Sequence, residues 1–494
     1  MSDAAHWRMG RLRNRLGAWP LLPIVGVALA LRFVNLGDLA LIGDESYYWL
    51  WSRNLDWAYY DHPAGVALLV RASTALAGSG HWGIRWLNAL LGGGCVLLTF
   101  RVGQWLISRR AGLWAAAAVA VGAPYVITSR FVYTDVLLLF LMLVNLLVFW
   151  RLAQEDAGLG TAMAFGASLA LLFNTKYSAY LYTAALLVAV LIDHRRRLRS
   201  RYLRIGGLVG ALGLLPVLLW NGFHHWVSFR WQLLHATTAI TNSASLLSNA
   251  HHAWVYLSPP LLVLGVLGLG RFRTASERLL TLVALFLLLP VALSPASSPR
   301  NLTTGLVPLL ILACSRLPPN LKPWSHRLLA GLLAFSLLGS ATYGIGTVVD
   351  LAAPSALPST SIVPAILRDA AGWPALGAAL SQGVEPVFAL DYSMAAQIRY
   401  YARRPATTAW GQYRIWGIPD FEDATILALD YLPADWMTRR LGEAFETVAG
   451  PERLIFTERG ATKVVNVWHA KGLHLEQQQF LRRFDFLTLL GEAP

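Results

Sequence analysis

Gly43-Asp44-Glu45-Ser46-Tyr47-Tyr48-Trp49 follows closely on the first long apolar run of the chain, near residues 20–36. Two adjacent carboxylates at the mouth of a membrane span are costly, because an ionised group beside hydrocarbon must be solvated, paired or used. About sixteen residues on comes a second polar knot, Tyr59-Tyr60-Asp61-His62-Pro63. The two stretches together read as a reaction centre at a membrane surface.

The rest of the chain supports a membrane setting. Of 494 residues, 56% are hydrophobic and only 14% charged, with a mean hydropathy of +0.49. Soluble domains carry about a quarter charged residues. Apolar runs fall near 20–36, 83–107, 113–128, 134–153, 161–175, 177–193, 204–220, 253–270, 279–294, 303–315 and 328–350. Each approaches the length that crosses about 30 Å of hydrocarbon, so about eleven transmembrane helices are expected. The basic first 18 residues precede a run without a small-residue cleavage site, which reads as a retained span.

A net charge of +14 suggests nucleic acid, but the location of the charge argues against it. With the N-terminus in the cytoplasm, the cytoplasmic segments hold about nineteen Lys and Arg and the external loops about six. The tract His194-Arg195-Arg196-Arg197-Leu198-Arg199-Ser200-Arg201 leads this asymmetry and reads as a topology anchor. Cys95 and Cys314 lie in apolar runs and offer neither a disulfide framework nor metal spacing.

After residue 350 the composition changes. Pro354, Pro358, Pro364 and Pro374 mark the boundary, and apolar strands then alternate with helical patterns: Val387–Leu390 with Ser393–Ala402, and Thr425–Leu429 with Ala434–Phe445. The runs Arg453–Thr457 and Thr462–Trp468 follow. This alternation predicts a small α/β domain over 351–494, external and without a glycine-rich phosphate loop, behind a membrane domain over 1–350. Two external loops are long, 37–82 and 221–252, and between them they are rich in Trp, Tyr, His and Asn. The first also holds Val66–Ala77, too short for a span and suited to lying in the interface.

Several residues are candidates for chemistry. A carboxylate such as Asp44 can take the proton of a sugar or alcohol hydroxyl as that oxygen attacks. Glu45 then orients hydroxyls or shares a metal. The alternative for Asp44 is an N-cap on a helix starting at Ser46. Asp61 with His62 can ligate a divalent cation, or bind phosphate through protonated His62, or simply form the turn before Pro63. Arg130, Asp135, Lys176 and Arg300 map to an external face poor in basic residues. Cations there can stabilise charge on a departing phosphate, or snorkel to headgroups. The stretch from Trp220-Asn221 to Trp231 mixes aromatics with polar groups, suited to sugar rings, isoprenoid chains or an interfacial belt.

These stretches, with Thr134-Asp135, Thr175-Lys176-Tyr177 and Trp220-Asn221, resemble glycosyltransferase family 39 over nearly the whole chain. This is the bacterial branch related to protein O-mannosyltransferases and the lipid A aminoarabinose transferase. The resemblance implies a GT-C fold and transfer of a sugar, with inversion, from a polyprenyl-phosphate donor. The acceptor is a glycan, lipid or protein on the periplasmic face of a bacterial inner membrane. It further implies that Asp44 is the catalytic acid residue of the first loop, and that Asp61 and His62 are the second acidic motif. Lys176 lies near the carrier phosphate, while Tyr60, Tyr177 and Asn221 accompany these motifs as substrate-binding positions. The chain departs from many relatives at Ala64, where a second proline is common, and at Thr175, where serine is common. Two other classes stand beside this one: a transporter or flippase for a lipid-linked sugar, and a non-catalytic assembly partner.

Overall fold

The computed structural model describes residues 20–154, 157–193, 195–237, 259–269, 273–293, 298–316, 324–352, 363–485 and 488–489. The basic N-terminus, His194, residues 238–252 of the second long loop with His251 and His252, and Pro354 and Pro358 lie outside them. The chain forms two compact units: 1–36, 62–66 and 85–349 in one, and 37–61, 67–84 and 350–494 in the other. The first polar loop therefore divides, and most of it, including Asp44 and Asp61, folds with the C-terminal domain.

The first unit is helical. Among the described residues, four helices are long and apolar enough to cross a membrane: His81–Leu106, Thr134–Leu152, Arg201–Phe223 and Ala275–Ala292. The pair Arg109–Val121 and Ala123–Arg130 passes the same test together but is bent by 58°, the shape of a broken span or a re-entrant loop. Gly122 supplies the break and Pro124 opens the second segment, where a missing N–H is tolerated. The apolar runs near 161–175, 177–193 and 303–315 become the shorter helices Leu159–Phe173, Ser178–Asp193 and Leu302–Cys314. The expected count of about eleven is therefore not reached by length and composition among the described residues.

Small residues let these helices close on one another, as is usual in membranes. A Cβ on Gly166 would lie 2.5 Å from Val209 Cβ, and one on Gly206 would lie 2.8 Å from Ala162 O. Two buried arginines satisfy helix ends whose carbonyls have no intrahelical partner. Arg32 donates to Val119 O and Ala120 O, at 3.0 and 2.9 Å, near the end of Arg109–Val121. Arg130 donates to Leu31 O and Val34 O, at 2.9 and 2.7 Å, at the end of Leu21–Phe33.

The second unit contains a five-stranded mixed sheet of order β2-β1-β3-β5-β4. The strands are β1 (Val387–Ala389), β2 (Ala406–Thr407), β3 (Ala424–Leu429), β4 (Phe445–Glu458) and β5 (Ala461–Leu473). β1 runs parallel to β2 and β3, whereas β5 is antiparallel to β3 and to β4. Arg459 and Gly460 turn the β4–β5 hairpin with φ of 50° and 75°, the left-handed pair that a tight hairpin requires. One sheet face buries Phe388, Ile426, Trp468 and Phe445 with Phe480 and Phe484 from the C-terminal helix Gln477–Arg483 and its end. The strand–helix alternation expected from the sequence is present. The short β2 and the helices Val363–Ala370, Trp373–Leu380 and Gly411–Trp416 were not anticipated.

Candidate active site

The helix Gly43–Arg53 starts at Gly43, three residues earlier than the N-cap reading of Asp44 placed it. Asp44 and Glu45 lie in its first turn, where carboxylates complement the partial positive charge of the helix end. Glu45 is fully buried, and its Oε2 accepts the Ile42 N–H at 3.1 Å. This gives Glu45 the part of a cap within the fold. Asp44 is only part-buried.

A second helix, Tyr392–Tyr401, begins beside the first. Asp391 caps it, Oδ1 accepting the N–H groups of Ser393 and Met394 at 2.8 and 3.2 Å. Tyr401 accepts the Leu41 N–H at 2.8 Å, and Gln397 donates to Leu41 O at 2.7 Å. Asp369 accepts the Gly43 N–H at 3.3 Å. Two positive helix ends thus meet, and carboxylates collect around them.

Only glycine suits position 43, because a Cβ there would lie 2.6 Å from Ser393 Cβ. Gly43→Ala should push the two helix ends apart and destabilise the unit by about 1–3 kcal/mol. Ser393→Gly in the same chain should recover most of that loss in a thermal melt. A Gly43→Ala protein as stable as the native one would contradict the close approach.

The tyrosine hydroxyls sort the acids. Tyr392 donates to Asp44 Oδ1 at 3.0 Å, and Tyr47 donates to Asp61 Oδ2 at 3.0 Å. Tyr47 packs on Tyr392, ring centres 4.7 Å apart, and Tyr392 on Trp410 at 5.1 Å. Tyr60 is held through its backbone N–H, which donates to Gln412 at 2.7 Å, and its ring packs edge-on against Trp410. Burial raises Asp61 to about 7; the Tyr47 hydroxyl pulls it down and the Asp44 charge pushes it up. Burial also raises Asp391, against its hydrogen-bond donors. Lys463 sits 3.7 Å over the Trp373 ring and donates to Asp369 O at 2.6 Å. Burial lowers its pKa to about 7, with Asp369 pulling it back up.

The shift at Asp61 sets a pH dependence. Its folded pKa of about 7 lies above the ordinary 3.8. Between those values the folded unit holds a proton that the unfolded chain has released. Stability therefore falls as pH rises through that window. Asp61→Asn should raise the melting temperature at pH 8 and leave it nearly unchanged at pH 4, as followed by melts across the range. An equal effect at both pH values would show that Asp61 is not held protonated by the fold.

In the first unit, Lys176 lies in the break between Leu159–Phe173 and Ser178–Asp193. Its Nζ donates to Asp135 Oδ1 at 2.7 Å and to Asn301 Oδ1 at 2.8 Å. Arg300 Nε lies 3.9 Å from Asp135 Oδ2, with the guanidinium 4.3 Å over the Tyr133 ring. Three expected residues from distant stretches, Asp135, Lys176 and Arg300, are thereby brought together. Asn301 joins them; its place directly after Arg300 was the available signal. The segment of His62 meets this stretch too, since Gly65 N–H donates to Asn174 O at 2.6 Å. Tyr177 packs against Tyr180 and Phe229.

Two further expected residues make hydrogen bonds within the fold. Arg130 is buried and committed to the helix-end carbonyls described above. Asn221 is fully buried, donating to Val217 O and accepting the Ser228 N–H, and so joins Leu215–Phe223 to Val227–Thr237. Asp61 and His62 gain no companion for a metal: among the described residues no group of three or more His, Cys, Asp or Glu is placed to hold a cation. Tyr392, Asp369 and Lys463 were missed, because no motif links the C-terminal domain to the first loop.

Residues 61–220 match the model of the dolichyl-phosphate-mannose-protein mannosyltransferase family. The lipid A galacturonosyltransferase RgtD of Rhizobium johnstonii is 31% identical over 207 residues, which is 41% of this chain and 43% of RgtD. The chain thus matches less than half the length of that relative. The crystal structure of ArnT from Cupriavidus metallidurans bound to undecaprenyl phosphate superimposes with a TM-score of 0.60 at 17% identity, covering 91% of this chain and 98% of ArnT. The archaeal oligosaccharyltransferase AglB from Archaeoglobus fulgidus gives 0.54 at 12% identity, covering 80% of this chain and 64% of AglB. With its apolar helices and its C-terminal sheet domain, the chain shares the GT-C fold of ArnT and AglB.

Proposed function

We propose that this protein is a membrane glycosyltransferase that moves a sugar from a polyprenyl-phosphate carrier to a cell-envelope acceptor on the periplasmic face. The observation that carries this reading is Asp44: a part-buried carboxylate at a helix start, hydrogen-bonded by Tyr392 and set among further acids. The acceptor hydroxyl loses its proton to Asp44 as its oxygen bonds to the anomeric carbon. The bond from that carbon to the phosphate oxygen breaks, and polyprenyl phosphate leaves. A phosphate leaving group is already acidic, so one carboxylate suffices and a single displacement inverts the carbon. Lys176 and Arg300 are assigned to the phosphate. Asp135 offsets part of their charge, which keeps the cluster from holding the product phosphate too tightly.

The likeness to RgtD, a lipid A galacturonosyltransferase, supports lipid A as the acceptor class, and the likeness to ArnT, solved with undecaprenyl phosphate, supports a polyprenyl phosphate as the carrier. The N-terminus is assigned to the cytoplasm and the sheet domain to the periplasm by the distribution of Lys and Arg. The test is purified protein in liposomes with lipid A and a panel of undecaprenyl-phosphate sugars, including a uronic acid, read by mass spectrometry. A new glycosidic product with release of undecaprenyl phosphate is expected. Donor crossing the bilayer with no product would establish the transporter reading instead.

A further inference from the structure

Tyr392 comes from the C-terminal domain, 348 residues away from the carboxylate its hydroxyl contacts. Its backbone is fixed twice: Asp391 caps the helix that it opens, and the Tyr413 hydroxyl donates to Tyr392 O at 3.0 Å. Its ring is packed between Tyr47 and Trp410. A phenylalanine would keep all of these contacts, so the hydroxyl is the part that packing does not require.

The charges around Asp44 give that hydroxyl a purpose. Asp61, Asp369 and Asp391 all feel the Asp44 charge. Lys463, packed beside Asp369, is the cation among them, and Arg399 lies beyond over the Tyr413 ring. Acid groups this close oppose the Asp44 charge as each of them ionises, and a hydrogen-bond donor to Asp44 counters that. We propose that Tyr392 is a positioning residue for the reaction, its hydroxyl fixing Asp44 Oδ1 so that the carboxylate stays ionised and meets the acceptor hydroxyl in one orientation. This rests on the reading of Asp44 as the base.

Tyr392→Phe is expected to lower kcat about 10–100-fold, the worth of a hydrogen bond to a charged group, with KM for the donor little changed. The acid limb of kcat/KM should move to higher pH, because losing a donor to the charged form raises a carboxylate pKa. A purely structural tyrosine would lower melting temperature and kcat without moving the limb. Incorporation of 3-fluorotyrosine at position 392 keeps the ring and strengthens the donor, and should move the limb to lower pH. It decides the matter if the Phe variant does not fold. A limb unmoved by both changes overturns the proposal. Asp44→Asn is measured alongside: an inactive Asp44→Asn with a native-like Tyr392→Phe removes only the positioning role, whereas an active Asp44→Asn removes the base reading itself.

Discussion

Asp44→Asn is expected to turn over about 10²–10⁴-fold more slowly than the native protein, the usual worth of a general base. The substitution keeps an oxygen for the Tyr392 hydroxyl and nearly the same volume, so the helix start at Gly43 and the packing of Tyr47 on Tyr392 should survive. Initial rates at saturating donor and acceptor, compared with a melt, separate chemistry from folding. Glu45→Gln is the contrast. Glu45 is fully buried and serves the Ile42 N–H, so its loss should cost stability before chemistry. A near-native rate for Asp44→Asn would end the assignment of the base.

Lys176→Ala has the second large effect, and it is double. Asp135 is 3% exposed and Lys176 12%. Removing the lysine leaves a buried carboxylate without its main partner, a loss of about 3–5 kcal/mol. It also removes the cation assigned to the carrier phosphate. The paired variant Lys176→Ala with Asp135→Asn should regain most of the stability, since neither charge then remains. Transfer and undecaprenyl-phosphate binding should stay low in the paired variant. If transfer returns with stability, Lys176 serves the fold alone.

Much of this site could be read from the sequence. Asp44, Asp61, Asp135, Lys176 and Arg300 stand out because charge is scarce in so apolar a chain, and the structure gathers Asp135, Lys176 and Arg300. Arg130 stood out for the same reason, but its role depends on which carbonyls end a helix nearly a hundred residues earlier. Asn221 likewise answers a local need, the turn between two helices. The α/β domain was visible from short apolar runs that alternate with helical patterns, whereas its union with residues 37–61 was not. That union is made by single side chains such as Tyr392, Gln397 and Tyr401, and no periodicity records them. Among the described residues fewer helices pass as spans than the apolar runs suggest, because such runs say little of where a helix bends or stops, as at Gly122.

The 348-residue separation of Asp44 and Tyr392 also orders events in time. Ribosomes add roughly 5–20 residues per second. The acidic loop therefore emerges about 20–70 seconds before the tyrosine that is to hold it. During translation the nascent chain carries its acid pair, yet Tyr392 is added only when about a hundred residues remain to be made. A product that stops before Tyr392 lacks the hydroxyl that donates to Asp44 Oδ1, whatever upstream residues are in place.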